Sequence, residues 1–308
     1  MSIPKINLTM AIVQIFHNPG AGTEDHSKKW LIQTLEEQGF SCVYRSTNNK
    51  NWQKLDSEAD FIVLAGGDGT VRKVTAELLN RKLIEKKYPI ALHPLGTANN
   101  IALTLGLNDC LKKLSDNWWK GDVKSFDIGL VEGLDRPAFF LESLGFGLFP
   151  KLLKELASED RPTHETPKEE IRYILKVLHR LAETYEPKEC HVEIDGEDHS
   201  GEYLWVEVMN TPYMGSNLQM APNADPGDGC LEVVMIEAKH RKELLKYLAA
   251  KIIGNEPQWN PPFKQAHRVR IAYNSPHLHI DDQYLKLQKF SELKIHIQKG
   301  ILDFIVPA

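Results

Sequence analysis

The first third of the chain alternates between short apolar runs and helical spacings. Four runs have the length of strands, and they cover residues 10–16, 41–45, 60–65 and 90–93. Between them, residues 26–38 place Trp30, Leu31, Thr34 and Leu35 on one helical face, and a second helical spacing starts at Val71. This alternation predicts βαβ units and a mostly parallel sheet, with ligand-binding loops at the carboxyl ends of the strands.

From about Asp127 the pattern changes to many short apolar runs that are joined by turns. Strands are predicted at residues 126–131, 138–144, 190–194, 203–209, 231–237, 269–273, 277–280, 293–297 and 302–306. Two helical stripes, over residues 167–185 and 241–253, interrupt this series. We therefore expect an α/β domain over residues 1–126 and an antiparallel β-rich domain over 127–308, whose last strands are able to pack back towards the first domain.

Composition narrows the class of protein. The 308 residues are 42% apolar and 26% charged, which is typical of a soluble globular protein. A net charge of -5, without a basic stripe carrying aromatic residues, argues against a nucleic-acid partner. The four cysteines are scattered, and the apolar run at residues 10–16 is too short to span a membrane. We expect a cytoplasmic protein, with peripheral contact at the inner membrane face and a homodimer as open alternatives.

The segment Gly66–Thr70 is the strongest candidate for ligand chemistry. Its residues are Gly66, Gly67, Asp68, Gly69 and Thr70, and they stand between an apolar run and a helical pattern. Glycines at such a junction let backbone N–H groups approach an anion, and the following helix adds its positive end. Thr70 suits an N-cap, and Asp68 can hold a cation or a hydroxyl group. The alternative is an ordinary turn, although a hairpin turn would lead into a strand.

Three further segments carry glycines together with polar side chains. Asn18–Gly22 follows the first predicted strand, and Pro94–Ala102 follows the fourth. Both can cradle anionic groups, but the first is also a common turn, and in the second Thr97 or Asn99 can simply cap a helix. Asp225–Glu232 places closely spaced carboxylates among glycines, which suits either a hard cation or an acidic turn.

Together, these segments resemble the diacylglycerol-kinase catalytic-domain family, which includes sphingosine kinases and bacterial lipid kinases. The resemblance covers nearly the whole chain, because later landmarks follow in the family's order. These landmarks are Asp127-Ile128-Gly129, Leu144-Gly145-Phe146-Gly147 and Asp228-Gly229-Cys230-Leu231. NAD kinases and phosphofructokinases share the Gly-Gly-Asp-Gly element, so the resemblance implies an N-terminal domain of their type. The order and spacing of the later landmarks favour the lipid kinases.

The resemblance implies transfer of the γ-phosphoryl group of ATP to a hydroxyl of a lipid such as diacylglycerol. The implied contacts with ATP are Asn18, Thr47, Gly66, Gly67, Asp68, Gly69, Thr70, Gly96, Thr97 and Asn99. Asp68 would lie near the phosphates and their Mg²⁺. Asp228, with backbone oxygens near Asp225 and Cys230, would bind a second, structural Mg²⁺.

Three positions depart from the family pattern. Arg72 and Asn100 replace residues that the family usually has, and Gln283 stands where bacterial members have the glutamate that is proposed as the base. A neutral amide cannot accept the hydroxyl proton, so either Asp281 or Asp282 substitutes or the acceptor needs no strong base. We therefore expect a slow or unusually selective kinase. The alternatives are a regulatory homologue that binds nucleotide or lipid with weakened turnover, and an NAD-kinase-like enzyme.

Overall fold

A computed structural model describes residues 11–22, 26–80, 87–157, 162, 164–287 and 292–307. The chain forms two compact units. The first unit comprises Met1–Phe126 with Leu302–Ala308, and the second comprises Asp127–Ile301. The predicted fold class is confirmed, because parallel strands build the first unit and antiparallel strands build the second.

The described residues of the first unit alternate between strands and helices. The elements are β1 (Ala11–His17), α1 (Lys28–Glu37), β2 (Phe40–Ser46), β3 (Phe61–Gly66), α2 (Asp68–Leu79), β4 (Ile90–Pro94), α3 (Asn100–Thr104) and α4 (Leu111–Trp118). The strands lie in the order β2, β1, β3, β4, and each neighbouring pair is parallel. The bounds of the four predicted strands differ by one residue, which is within the usual uncertainty of element ends. Helix α2 begins three residues before Val71, and no prediction covers α4.

The central strands of this sheet are apolar because both of their faces are covered. All of β3 is buried, and so is β1 except at Ile12. Helix α1 buries Leu31 and Leu35, and helix α2 buries Val71 and Val74. Strands that are buried on both faces are typical of parallel sheets packed between helices. The carboxyl ends of β1, β3 and β4 consequently meet at one edge, where the predicted ligand loops begin.

The second unit is built from shorter strands and longer helices. β5 (Asp122–Glu132) leads into it from the first unit. It continues with β6 (Ala138–Phe140), β7 (Ser143–Gly147), α5 (Leu148–Leu156), α6 (Pro167–Thr184), β8 (Lys188–Ile194), β9 (Glu197–Asp198), β10 (Gly201–Tyr203), β11 (Trp205–Met209), β12 (Tyr213–Met214), β13 (Leu218–Gln219), β14 (Leu231–Ile236), α7 (Arg241–Ile252), β15 (Phe263–Ala266), β16 (Arg268–Tyr273), β17 (His277–Ile280), β18 (Gln283–Lys286) and β19 (Leu293–Val306). The end of β19 belongs to the first unit, where Phe304 lies beside Ile90.

Two antiparallel sheets share one apolar core in the second unit. The first has the strand order β10, β8, β16, β19, and the second has the order β15, β14, β11, β7, β17, β18. Phe146 of the second sheet and Val192 and Val269 of the first belong to the same buried cluster. Such packing of two inner faces is that of a β-sandwich.

Helices cover the second sheet on its other side. Trp205 and Val234 of this sheet form a second buried cluster with Leu178 of α6 and Leu248 of α7. Helix α6 begins with a capping box in which Thr166 is the N-cap, and its predicted apolar stripe faces this cluster. Within the described ranges, no helix combines the length and the hydropathy needed to cross a membrane.

Two predicted strands divide in the structure, and two others join into one. Residues 138–144 divide into β6 and β7, because backbone amides between them turn towards a buried carboxylate. Residues 203–209 divide at Leu204, where the chain passes from the first sheet to the second. The runs at 293–297 and 302–306 form one continuous strand, β19.

Candidate active site

Three loops meet at the carboxyl ends of β1, β3 and β4. The backbone N–H of Asn18 donates to the carbonyl of Ala65 (2.9 Å), and its side-chain Nδ2 donates to Thr70 Oγ1 (3.4 Å). Gly22 lies against the third loop, since a side chain at Gly22 would collide with the carbonyl oxygen of Leu95. The structure thus brings together the segments for which the sequence predicts phosphate binding.

Glycines are required where the second and third loops touch. A Cβ atom on Gly67 would lie 2.8 Å from the Cα atom of Gly96, and one on Gly96 would lie 2.6 Å from the Cα atom of Gly67. A Cβ atom on Gly66 would collide with the side chain of Thr70. No larger residue fits either loop without moving the other. This requirement exists before any ligand is considered.

Asp68 connects the same two loops through its carboxylate. Oδ2 accepts a hydrogen bond from the backbone N–H of Asn100 (2.8 Å), and Oδ1 accepts one from that of Ile101 (3.0 Å). These amides open helix α3, where backbone N–H groups have no partner inside the helix. Asp68, the first residue of α2, therefore caps a different helix.

The predicted cap of α2 is wrong, and that of α3 is confirmed only in its position. Helix α2 has Gly67 at its N-cap, and Thr70 lies inside the helix. Helix α3 has Asn99 at its N-cap, but Asn99 is left-handed (φ 52°) and makes no capping hydrogen bond. Its side chain instead bonds both backbone groups of Gly96, at 2.8 and 2.7 Å. Thr97 is exposed and caps nothing.

Thr47 lies at the end of β2, beside the other loops. Its N–H donates to the carbonyl of His17 (2.8 Å), and its own carbonyl accepts from Lys73 Nζ (2.8 Å). Lys73 is an exposed residue of α2, a helix that begins at Asp68 within the glycine loop. Glycine-loop amides, a helix N-terminus and a nearby ammonium group suit the phosphates of ATP.

A group of histidines at this edge escaped the sequence analysis. The strand registers place His17, Ala65 and His93 side by side, so their side chains share one face of the sheet. The rings of His26 and Trp30 lie 5.8 and 6.0 Å from that of His93. Trp30 is 42% exposed, whereas Leu31 and Leu35 of the same predicted face are buried. The missed signal was a histidine near the carboxyl end of each of two mainly apolar strands.

Burial lowers the pKa of both His93 and His17. Burial, followed by the charges of His26 and His17, lowers the pKa of His93 to about 3. Neither ring nitrogen of His93 has a hydrogen-bond partner within the described residues. His17 Nδ1 lies 2.9 Å from the Tyr44 hydroxyl, and burial also lowers the pKa of His17. Both side chains are therefore neutral at physiological pH.

The acidic turn predicted to bind Mg²⁺ lies in the second unit. Asp225 accepts from the backbone N–H of Gly227 (3.0 Å), and Asp228 accepts from that of Cys230 (2.8 Å). Asp127 holds the same turn, because its Oδ2 accepts from the N–H of Gly229 (2.8 Å). In the described part of the chain, no three His, Cys, Asp or Glu side chains form a ready metal site.

The turn nevertheless suits a hard cation. Glu232, next to it on β14, is buried without a hydrogen-bond partner for either carboxylate oxygen among the described residues. Burial, followed by the charges of Asp228 and Asp225, raises its pKa to about 7. A field that opposes another negative charge favours a cation, and carboxylate and carbonyl oxygens are the ligands that Mg²⁺ prefers. Cys230 fits through its carbonyl oxygen rather than its thiol.

The turn at Asp281 and Asp282 follows β17 and leads into β18, which begins at Gln283. Asp281 is buried, and its carboxylate accepts from the backbone N–H groups of Leu141 (3.1 Å) and Glu142 (2.8 Å). Asp281 is thus held as a structural acceptor, which disfavours its predicted use as a substitute base. Asp282 and Gln283 are exposed.

Two family models match the chain in succession. The model described as the diacylglycerol kinase catalytic domain matches residues 13–131. The model described as the YegS C-terminal NAD kinase beta sandwich-like domain matches residues 156–281. The first match covers all three loops, and the second covers the acidic turn.

Curated relatives match over most of their length. A protein named diacylglycerol kinase from Bacillus subtilis (strain 168) is 25% identical over 287 residues, which are 89% of this chain and 90% of the relative. Lipid kinase YegS from Escherichia coli (strain K12) is 24% identical over 292 residues, with 88% and 89% covered. A crystal structure titled as a diacylglycerol kinase from Bacillus anthracis str. Sterne has a TM-score of 0.70 at 21% identity, covering 96% of each chain. This last likeness concerns the fold.

Proposed function

Because the chain belongs to the diacylglycerol-kinase catalytic-domain family, we propose that it transfers the γ-phosphoryl group of ATP to a hydroxyl group of a lipid, such as diacylglycerol. The observation that carries the proposal is the meeting of three loops in the first unit, where Gly67 touches Gly96 and Asp68 ties both loops together. Because the acceptor is a lipid, we also propose that the protein makes peripheral contact with a membrane.

The proposed roles follow from the contacts of each residue. Backbone amides at the start of α2 and the ammonium group of Lys73 bind the phosphates, and Thr47 and Thr97 complete the nucleotide contacts. Asp68 would hold Mg²⁺ at the phosphates, and Asp228 a second Mg²⁺ with backbone oxygens of its turn. Mg²⁺ would neutralise phosphate charge. Positioning and charge neutralisation supply most of the catalysis in phosphoryl transfer.

Transfer of label from γ-labelled ATP to a panel of diacylglycerols, sphingoid bases and phospholipids tests the proposal. We expect Mg²⁺-dependent labelling of one lipid class, and loss of labelling in Asp68→Ala and Gly96→Ala. Asp109→Ala, which removes an exposed carboxylate from the same unit, is the matched control and keeps its activity. Labelling that survives Asp68→Ala, or labelling of NAD without any lipid, would contradict the proposal.

Gln283 determines how fast the kinase is expected to be. A general base contributes about 10²–10⁴-fold, and an amide cannot supply it. We therefore propose that the wild type is slow and that Gln283→Glu accelerates labelling of the lipid. Asp282→Glu, one residue away and also exposed, is the control that adds no base at this position. A fast wild type that Gln283→Glu does not improve would refute this part of the proposal.

A regulatory homologue that binds nucleotide without turnover is the second candidate. It is favoured by two observations: Gln283 lacks a basic group, and the Asp281 carboxylate is occupied by backbone amides. Calorimetric titration with ATP separates the candidates. ATP binding without labelling of any lipid, in the wild type and in Gln283→Glu, would favour the regulator.

A further inference from the structure

Glu207 and His279 meet across the middle of a sheet. Glu207 lies on β11 and His279 on β17, and both strands pair with β7. The residue of β7 in register with both is Gly145. A Cβ atom on Gly145 would collide with Glu207 Oε2. The missing side chain therefore leaves the space in which the carboxylate and the imidazole approach each other.

The pair is completely enclosed. Both side chains have 0% exposure, and His279 Nε2 lies 2.8 Å from Glu207 Oε1 and 3.0 Å from Oε2. The indole N–H of Trp205 donates to Oε2 (2.7 Å), and the ring of Phe149 stands edge-on to the imidazole at 4.6 Å. The carboxylate thus meets two donors in a site without solvent.

The hydrogen bonds of His279 fix its protonation. Nδ1 lies 2.7 Å from the backbone carbonyl of Asp281, which can only accept, so Nδ1 carries a proton. Nε2 faces the Glu207 carboxylate and carries the second proton. Burial lowers the pKa of His279, but the charge and hydrogen bonds of Glu207 outweigh it and the pKa is raised. His279 is therefore an imidazolium paired with a carboxylate.

The carbonyl that His279 holds belongs to a turn that is also held from the other side. Asp281 has a left-handed backbone (φ 50°), and its N–H donates to the carbonyl of Ser143 (2.8 Å). Its carboxylate receives the amides of Leu141 and Glu142 described above. The turn leads directly into β18, whose first residue is Gln283.

We propose that His279 and Glu207 are positioning residues for the Asp281–Gln283 turn, with Gly145 providing the space for their contact. The proposal rests on the proposed function, in which this turn carries the position of the base. Burying an ion pair costs desolvation, and an apolar pair is often as stable, so stability alone does not account for it. What an apolar pair lacks is the hydrogen bond to the Asp281 carbonyl. That bond fixes the direction in which the turn leaves β17.

The test is the double variant Glu207→Leu with His279→Leu, which removes both charges together. We expect it to fold. In the Gln283→Glu background, where the segment would carry the base, it should lower kcat by roughly 10–100-fold, because displacement of a reacting group by about 1 Å has effects of this size. The KM for ATP should stay within about twofold, since nucleotide contacts lie in the other unit. Amide exchange at Leu141 and Glu142 should become faster.

Ile271→Ala is the matched control, since it removes buried apolar volume from β16, in the other sheet of the same unit. It should leave kcat unchanged. Because Ile271 belongs to the core that both sheets share, any faster exchange should extend over that core and should not be confined to Leu141 and Glu142. In the wild type, ¹⁵N shifts should show both ring nitrogens of His279 protonated at pH 7. A neutral imidazole would overturn the proposal. So would a double variant that has the exchange of the wild type and, in the Gln283→Glu background, the kcat of Gln283→Glu alone.

Absence of any kinase activity would refute the proposed function and leave this inference measurable. The exchange and ¹⁵N readouts need no turnover. Faster exchange confined to the turn in the double variant would then support the positioning role, and unchanged exchange would refute it. The ¹⁵N measurement uses only the wild type, so a neutral imidazole would overturn the proposal even if the double variant does not fold.

Discussion

Each unit buries a histidine, and the two environments shift the pKa of the ring in opposite directions. His93 in the first unit has no partner for either nitrogen among the described residues, and its pKa falls to about 3. His279 in the second unit has an acceptor at each nitrogen, and its pKa rises. Burial disfavours the charged ring in both places. The neighbours decide whether the charge is nevertheless kept.

The difference has opposite consequences for stability. His279 needs its proton, because the ion pair with Glu207 is lost when either partner is neutral. His93 must stay neutral, because an imidazolium there would be desolvated and would face other histidines. Acidification therefore lowers the free energy of unfolding of the first unit through His93.

The largest expected effect comes from making His279 resemble His93. Glu207→Leu removes the carboxylate and leaves a buried imidazole without its counter-charge. We expect the second unit to lose about 3–5 kcal/mol of unfolding free energy, the usual cost of breaking a buried ion pair. Urea unfolding followed by amide exchange in β11 and β17 measures it. Adding His279→Leu should restore most of the loss, and a loss that stays the same would contradict the ion-pair assignment.

A smaller effect is expected when the first unit is acidified. The pKa of His93 falls from 6.5 to about 3 on folding, so below pH 6.5 the unfolded chain binds a proton that the folded chain excludes. Stability is therefore full above pH 6.5 and decreases towards pH 3. At pH 4.5 the loss amounts to about 2–3 kcal/mol.

The His93→Leu variant isolates this contribution. Between pH 7 and 4.5 its unfolding free energy should fall by about 2–3 kcal/mol less than that of the wild type, as measured by urea unfolding with exchange read in β1 and β3. Replacing the exposed His191 by Leu is the control and should leave the wild-type slope. Equal slopes in wild type and His93→Leu would disprove the buried neutral histidine.

The smallest effect concerns His17, which has fewer hydrogen-bond partners than His279 and more than His93 among the described residues. It has one neutral partner, the Tyr44 hydroxyl at 2.9 Å. Tyr44→Phe removes that hydrogen bond and should destabilise the first unit by about 1 kcal/mol at pH 7. The same unfolding assay checks this. If Tyr44→Phe lowered the unfolding free energy more than Glu207→Leu does, a charged partner would not explain the difference between His93 and His279.

Most of the fold could be predicted from the chain because its signals are local. The central strand β3 is a continuous apolar run, β1 is one except at Gln14 and His17, and α6 carries a regular stripe that starts at a capping box. The strand bounds that failed depend on distant partners. The break between β6 and β7 is caused by Asp281, a residue about 140 positions further along, and no local pattern contains such information.

The sequence predicts the loop segments of the candidate site, but not the hydrogen bonds that join them. Gly66–Thr70 is recognisable because its glycines stand between a strand and a helix, where backbone amides can approach an anion. That Asp68 caps α3 depends on two loops that meet only in the folded chain. Glu207 and His279 stand in apolar strands as isolated polar residues, and only the registers with Gly145 show that they form a pair.

The contact between Gly67 and Gly96 has a consequence for how this protein can vary. Neither loop can gain a methyl group unless the other retreats, so two segments far apart in the chain constrain each other's substitutions. A tolerated replacement in one loop should therefore come with a compensating change in the other. Substitutions at Gly67 and Gly96 should therefore depend on each other, although neither residue has a side chain.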